Sequence, residues 1–313
     1  MRTFTEVSEK LGEPGKYLLI QSEEVTDSFK NLPVHMNATN VHSILTPLGG
    51  KSVYDVMQNN TNALLAQRER SGKSMMIHLN HPNFHYGVTA EDLMKVIGEN
   101  FFEVYNGHPG VNNKGDETHA STDRIWDIIL TKRLAELKLP VMYGLATDDG
   151  HNYHKIPSRG SEPGRGWVVV LSKKLDPEAL VDAMEAGRFY SSSGVELKSV
   201  TYTDQGIQIE IEPEEGVEYI TDFIGTLEGY PKRGTPVLDK RGLEIRATKH
   251  YSSKIGRKLK TVKGNSASYN FNGKEIYVRA LVRASKPHPN PAQIGEVERA
   301  WIQPAVGPAA PQQ

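Results

Sequence analysis

Near Gly194 the spacing of apolar residues along this chain changes period, and that change limits its possible folds more than any other feature. Before it, apolar residues come in short unbroken runs: Ser74–Leu79 (SMMIHL), Phe101–Tyr105 (FFEVY), Val141–Leu145 (VMYGL) and Trp167–Leu171 (WVVVL). An unbroken run suits a strand covered on both faces, as parallel strands in α/β proteins are. After it, Ile207, Ile209 and Ile211 alternate with polar residues, as do Ile276, Val278, Ala280 and Val282. That alternation belongs to antiparallel strands with one wet face.

Helical segments fit between the early runs. Lys51–Arg70 reads as a helix with Ser52 at its N-cap, and Thr89 can cap Ala90–Ile97. Thr122–Lys138 sets Ile125, Ile128, Ile129 and Leu137 near one face. Asp176-Pro177-Glu178 is a start signal and Gly187 a stop. Tyr17–Ile20 and Val34–Met36 supply short early strands, Tyr219–Ile224 and Leu243–Ala247 later ones. Strands alternating with helices predict an α/β unit over residues 1–194 with a mostly parallel sheet or barrel, followed by a small antiparallel β domain over 195–304. Residues 305–313, within PAVGPAAPQQ, have the composition of a disordered tail.

Composition removes several classes. The 313 residues include no Cys, which excludes disulfide scaffolds, Cys-ligated zinc, iron–sulfur clusters and thiol nucleophiles. No run approaches the roughly 20 apolar residues of a membrane-spanning helix. The polar N-terminus lacks the apolar core of a secretory signal, so the cytoplasm is the default location. With 37 Lys and Arg against 38 Asp and Glu, net charge offers no argument for a nucleic-acid or membrane partner.

Histidine, by contrast, is unevenly placed. Nine of the 11 lie between His35 and His154, and imidazole is the commonest metal ligand and general base near neutral pH. Several polar residues fall at or just after the ends of the expected α/β strands: Glu24, His35, His78, His81, Glu103, Asp148, Asp149 and His151. Functional groups gather at the carboxyl ends of strands in parallel α/β folds. Imidazole and carboxylate donors without Cys suit Zn, Mn or Fe. His78, three residues before His81, reads as a structural or second-layer residue supporting a ligand. Glu103 reads either as an acceptor fixing a ligand histidine or as a satisfied polar residue. His85 lines the pocket or recognises substrate, and Arg165, with Arg159, either contacts an anionic substrate or sits in a solvated loop. The long Gly107–Ala120 loop, carrying His108 and His119, is placed on the substrate side. Ser191–Ser193 lacks the G-x-S-x-G elbow of a serine nucleophile and reads as a turn.

Taken in order, HMNATN, HLNHPNFHYG, FFEVYNGHPG and GLATDDGHNYH resemble the later motifs of the PHP (polymerase and histidinol phosphatase) family. GRGWVVV, GRFYSSSGV and the closing Ala300-Trp301-Ile302-Gln303-Pro304 are similar to its bacterial metallohydrolases, so the likeness runs from Tyr17 to about Pro304. The resemblance implies a distorted barrel of parallel strands and helices, a site for up to three divalent ions, and hydrolysis of phosphate esters. Carried over by motif, Glu24 matches the carboxylate bridging two metals, and His35 and His81 match the histidines completing one site with it. Asp149 matches the aspartate of the DxH motif and is expected to bind the first metal, with Asp148 as the alternative register, and His151 matches the metal-binding histidine of the third site. Asp149 and His151 are the expected catalytic pair.

The chain departs from that family at its start. Only 23 residues precede Glu24 and none is His, so the HxH and DH motifs have no counterpart here. A βαβ unit needs roughly 30 residues. The expected fold is therefore an α/β, N-terminally incomplete parallel βα barrel of PHP type, with an open edge at Tyr17–Ile20 that favours self-association or completion by an upstream segment. The expected function is a metal-dependent phosphoesterase acting on a small phosphorylated or anionic substrate through metal-activated water. The alternatives are a hydrolase of a non-phosphate bond and a non-catalytic metal-binding module.

Overall fold

In the computed structural model, which describes residues 2–311, helix α1 (Phe4–Leu11) is followed by an antiparallel hairpin of β1 (Ser22–Phe29) and β2 (Leu32–Thr39). The hairpin turns on Lys30-Asn31, with Lys30 in the left-handed region at φ +56°. Helix α2 (Val53–Ser71) starts on the Ser52 hydroxyl as expected and stops at Gly72, also left-handed. Then come β3 (Met76–Leu79), the short α3 (Ala90–Leu93) capped by Thr89, β4 (Phe101–Asn106), α4 (Thr122–Lys132) capped by Ser121, and β5 (Tyr143–Thr147). A π-helical turn carries α4 on to Leu137.

These five strands form one sheet in the order β1-β2-β3-β4-β5. Only β3/β4 and β4/β5 are parallel; β1/β2 and β2/β3 are antiparallel. The remaining strands are β6 (Trp167–Val170), β7 (Phe189–Ser192), β8 (Leu197–Thr203), β9 (Gly206–Ile211), β10 (Tyr219–Leu227), β11 (Arg257–Lys263), β12 (Ser266–Asn270), β13 (Glu275–Pro287) and β14 (Val297–Val306), with α5 (Pro177–Glu185) between β6 and β7. They build a six-stranded antiparallel sheet, β11-β10-β13-β14-β7-β6, and a three-stranded one, β12-β9-β8.

The parallel βα barrel is therefore corrected. The chain is 18% helical and 34% strand, with three mostly antiparallel sheets and no closed barrel among the described residues. Two local causes are visible. Val25, Val34, Met36 and Ala38 are buried while their neighbours along β1 and β2 are more exposed, so this pair has one apolar and one polar face and needs no crossover helix. At the other end, no strand among the described residues hydrogen-bonds to the outer side of β5. The Gln303 amide takes that place, accepting from the Gly144 N–H at 3.0 Å and donating to its carbonyl at 2.8 Å. The Ser191 hydroxyl bonds the Gly144 carbonyl (2.8 Å) and the Ala146 N–H (3.1 Å). Side chains of the six-stranded sheet thus satisfy the edge that barrel closure would have used. Ser191 lies in a strand rather than a turn. The segments 17–20 and 243–247 do not form strands.

The apolar face of the five-stranded sheet packs under α2, α3 and α4 through Met36, Ala38, Ile77, Leu79, Phe102 and Val104 against Met57, Leu64, Leu93, Trp126 and Ile129. Tyr277, Leu281 and Trp301 of the six-stranded sheet join this same core. The joint between them is polar at its centre. Arg279 donates to both carboxylate oxygens of Asp127 (2.8 and 2.9 Å), pairs with Asp123 at 3.1 Å and lies over the Trp126 ring at 4.6 Å. Tyr277 donates to Asp127 at 2.7 Å. A second core fills the space between the two antiparallel sheets around Ile207, Ile209, Phe223 and Ile302. Of the segment expected to be disordered, Ala309 bonds the Glu275 carbonyl and Ala310 packs on the first core; Gln312 and Gln313 lie outside the described residues.

Candidate metal centre

The opposite face of the five-stranded sheet is polar, and cross-strand register assembles it. Glu24 pairs with Asn37 and Asn37 with His78, so these three side chains share a face. His35, two residues before Asn37, points the same way. Leu79 pairs with Phe102 on the apolar face, which puts His78, Asn80 and Glu103 on the polar one. His81 follows directly on β3, and Asp149 and His151 follow β5.

Among the described residues, Glu24, His35 and His81 bring one donor atom each within 4.8 Å of one another. Glu24 is exposed, His35 half-buried and His81 buried. His35 Nδ1 lies 3.1 Å from Glu24 Oε1, to which the Asn80 amide also donates at 3.2 Å. The hydrogen bond from His35 is the main cause holding the Glu24 carboxyl below its ordinary range; burial opposes it, and the His81 ring and Asn80 add to it. The carboxylate stays ionised, as a ligand must be. Two imidazoles and a carboxylate are the donor set of an open, catalytic-type zinc site.

A cavity of about 170 Å³ opens over the trio, walled by Phe84, His108, Asp149 and His151. Phe84 is its apolar wall, with its ring centroid 5.0 Å from His81 and 6.1 Å from His35. His151 Nδ1 lies 2.8 Å from the Asp149 carbonyl and 3.5 Å from its carboxylate. Asp149 holds φ +49°, a left-handed geometry that costs roughly 1–2 kcal/mol for a non-glycine residue and persists only where the surroundings enforce it. His108 Nδ1 accepts from the Gly110 N–H at 3.0 Å, which leaves the proton on Nε2. Burial pushes its pKa down, against the pull of Asp149.

Glu103 is the hidden organiser. It is 2% exposed, and its Oε2 accepts from the His81 N–H (2.7 Å) and the Asn106 amide (2.8 Å). Asn106 Nδ2 also lies 3.2 Å from Asp149 Oδ2, so one carboxylate links the His81 loop to the Asp149 loop. Burial alone would push the Glu103 carboxyl up, yet His78, His81 and the Asn106 amide hold it below its ordinary value. His78 is buried 3.6 Å from Glu103 Oε1 with no hydrogen bond to either ring nitrogen among the described residues.

The other expected site residues lie outside the cavity. His85 is exposed beside Phe84 at φ +49°. Arg165 is buried and spent on structure, donating to Gly107 O at 2.9 Å and to Asn290 O at 3.2 Å, with Glu162 3.3 Å away. Asp148 accepts from the Gly164 N–H and does not line the cavity. Of the Gly107–Ala120 loop, His108 reaches the cavity while His119 stacks on Tyr86 at 3.6 Å and bonds Asp116. Sequence reasoning passed over Phe84, Asn80 and Asn106. The two asparagines stand at the strand ends of HLN and EVYN, the same positions that singled out the histidines and carboxylates. A criterion that admitted neutral hydrogen-bonding side chains there would have included them.

Neither a scan against models of known protein families nor a search of curated proteins finds a match to this chain. The likeness to the PHP family rests on the motifs alone.

Proposed function

We propose that this protein is a metal-dependent hydrolase that holds a divalent ion of the Zn, Mn or Fe class through Glu24, His35 and His81 and cleaves a small phosphorylated or anionic ester. The observation that supports the reading is the convergence of those three donors beneath a cavity walled by Asp149, His108 and His151. A divalent ion in such a site supplies Lewis-acid chemistry and lowers the pKa of water toward 7. Glu24, with its pKa depressed, supplies the anionic ligand. Glu103 fixes the His81 backbone and, through Asn106, the Asp149 carboxylate. When Nδ1 of His151 carries its proton toward the Asp149 carbonyl, Nε2 is left as the lone pair that takes a proton from water. Phe84 keeps one wall of the cavity dry.

One observation favours a second reading. Among the described residues no Lys or Arg lines the cavity, and Arg165 is committed elsewhere. A phosphate dianion would then depend on the ion alone for neutralisation, whereas an uncharged bond such as an amide would not. The deciding experiment reconstitutes metal-free protein with Zn, Mn or Fe and assays a phosphomonoester, a phosphodiester and an amide. Turnover should vanish in Asp149→Ala and His151→Ala and survive in His42→Ala and His154→Ala. Metal binding without turnover on any of the three would replace the hydrolase with a binding module.

A further inference from the structure

The site uses none of the charge carried by residues 231–263. That stretch holds eleven Lys and Arg against two carboxylates, Asp239 and Glu244, a local charge of +9 in a chain whose total is −1. Most of it lies between β10, which ends at Leu227, and β11, which begins at Arg257, in a connection far longer than ordinary loops. The connection is anchored at its base. Val237 is buried, Thr235 bridges to His250, Arg246 donates to the Gly87 carbonyl and to Asp92, and Tyr251 donates to Glu91. From that base a small hairpin projects, closed by the Leu238–Glu244 bridge and the bond from Asp239 N–H to the Leu243 carbonyl.

The tip of this hairpin is unusual in what it leaves wet. Leu238 is 54% and Leu243 56% exposed, one on each arm, flanking Lys240 and Arg241. Asp239 is folded inward on the turn, accepting from the N–H groups of Arg241 and Leu243 and from the Arg241 guanidinium. The side chains of Lys232, Arg233, Lys240, Lys249 and Lys254 make no ion pair among the described residues. Exposed leucines beside the unpaired Lys240, in a connection that carries four further unpaired cations, fit a surface that is apolar inside and anionic outside. A nucleic acid would use the cations and leave the leucines in water, and a protein groove would use the leucines without needing so many cations.

We propose that the 237–245 hairpin and the unpaired cations of its connection dock this protein on an anionic lipid surface, the leucines entering the headgroup boundary and the cations meeting lipid phosphates. The near-zero total charge hides this, because the compensating carboxylates lie elsewhere in the chain. The proposal does not depend on the metal reading.

The test is flotation of the full chain with vesicles of phosphatidylcholine, with and without phosphatidylglycerol, at low salt. Wild type should float only with the anionic vesicles. Leu238→Ser/Leu243→Ser and Lys240→Glu/Lys249→Glu should each lose about tenfold or more in partitioning, with unchanged circular dichroism. Failure to float with anionic vesicles would overturn the proposal, as would wild-type flotation of both variants. Retention of labelled duplex DNA with no vesicle binding would assign the basic face to nucleic acid instead.

Discussion

Glu99 is fully buried between α3 and β4, and neither carboxylate oxygen closes a hydrogen bond among the described residues. Burial pushes its pKa up to about 8, against the pull of Arg133 and of the neighbouring Leu79 and Thr61 groups. The consequence for stability has a definite sign. The unfolded carboxyl titrates near its ordinary value of 4.5, so between that pH and about 8 the native state binds a proton that the unfolded state has released. Stability from this group is complete below the lower value and is lost as pH rises through the upper one. At 1.36 kcal/mol per pH unit the window corresponds to about 5 kcal/mol, an upper figure because relaxation and water entry reduce it. Glu99→Gln removes the titration. Urea unfolding of wild type and variant at about pH 5 and about pH 8.5 isolates the effect, since other groups titrate alike in both proteins. The variant should be more stable than wild type by about 2–4 kcal/mol at the higher pH relative to the lower. Parallel curves for the two proteins would refute the reasoning.

Asp127→Ala leaves Arg279 buried without its bidentate partner and should cost about 3–5 kcal/mol in urea unfolding, part of which Arg279→Met returns in the double variant. No return would mean that packing rather than charge sets the cost. Glu103→Ala removes the oxygen that accepts from both the His81 N–H and the Asn106 amide; metal affinity by competition with a chelator should weaken about 10–100-fold. Unchanged affinity would remove Glu103 from the ligand-positioning network.

The site was more legible in the sequence than the fold around it. Glu24, His35 and His81 were among eight carboxylates and histidines at breaks between apolar runs; the likeness to the PHP motifs grouped these three, and the register of β1, β2 and β3 brings them together. The parallel β3, β4 and β5 were readable for the same reason, as unbroken runs covered on both faces. The β1–β2 hairpin was not, because its turn is Lys30-Asn31 rather than Asn-Gly or Asp-Gly and β1 buries only Val25. Trp167–Val170 shows the limit of the run criterion: the segment reads like a parallel strand yet pairs antiparallel with β7 at a sheet edge. Arg165 looked available to substrate, and only tertiary contacts with Gly107 and Asn290 show it spent on structure.

Glu24, His35 and His81 are proposed to hold a divalent ion. Elemental analysis of protein grown with Zn and Mn, stripped of loose ions by gel filtration, measures it directly against His81→Ala and Glu24→Gln. Wild type should hold about one tightly bound ion per chain, and both variants should lose nearly all of it with folding intact. Equal metal content in all three proteins, or none in wild type, would contradict the proposal.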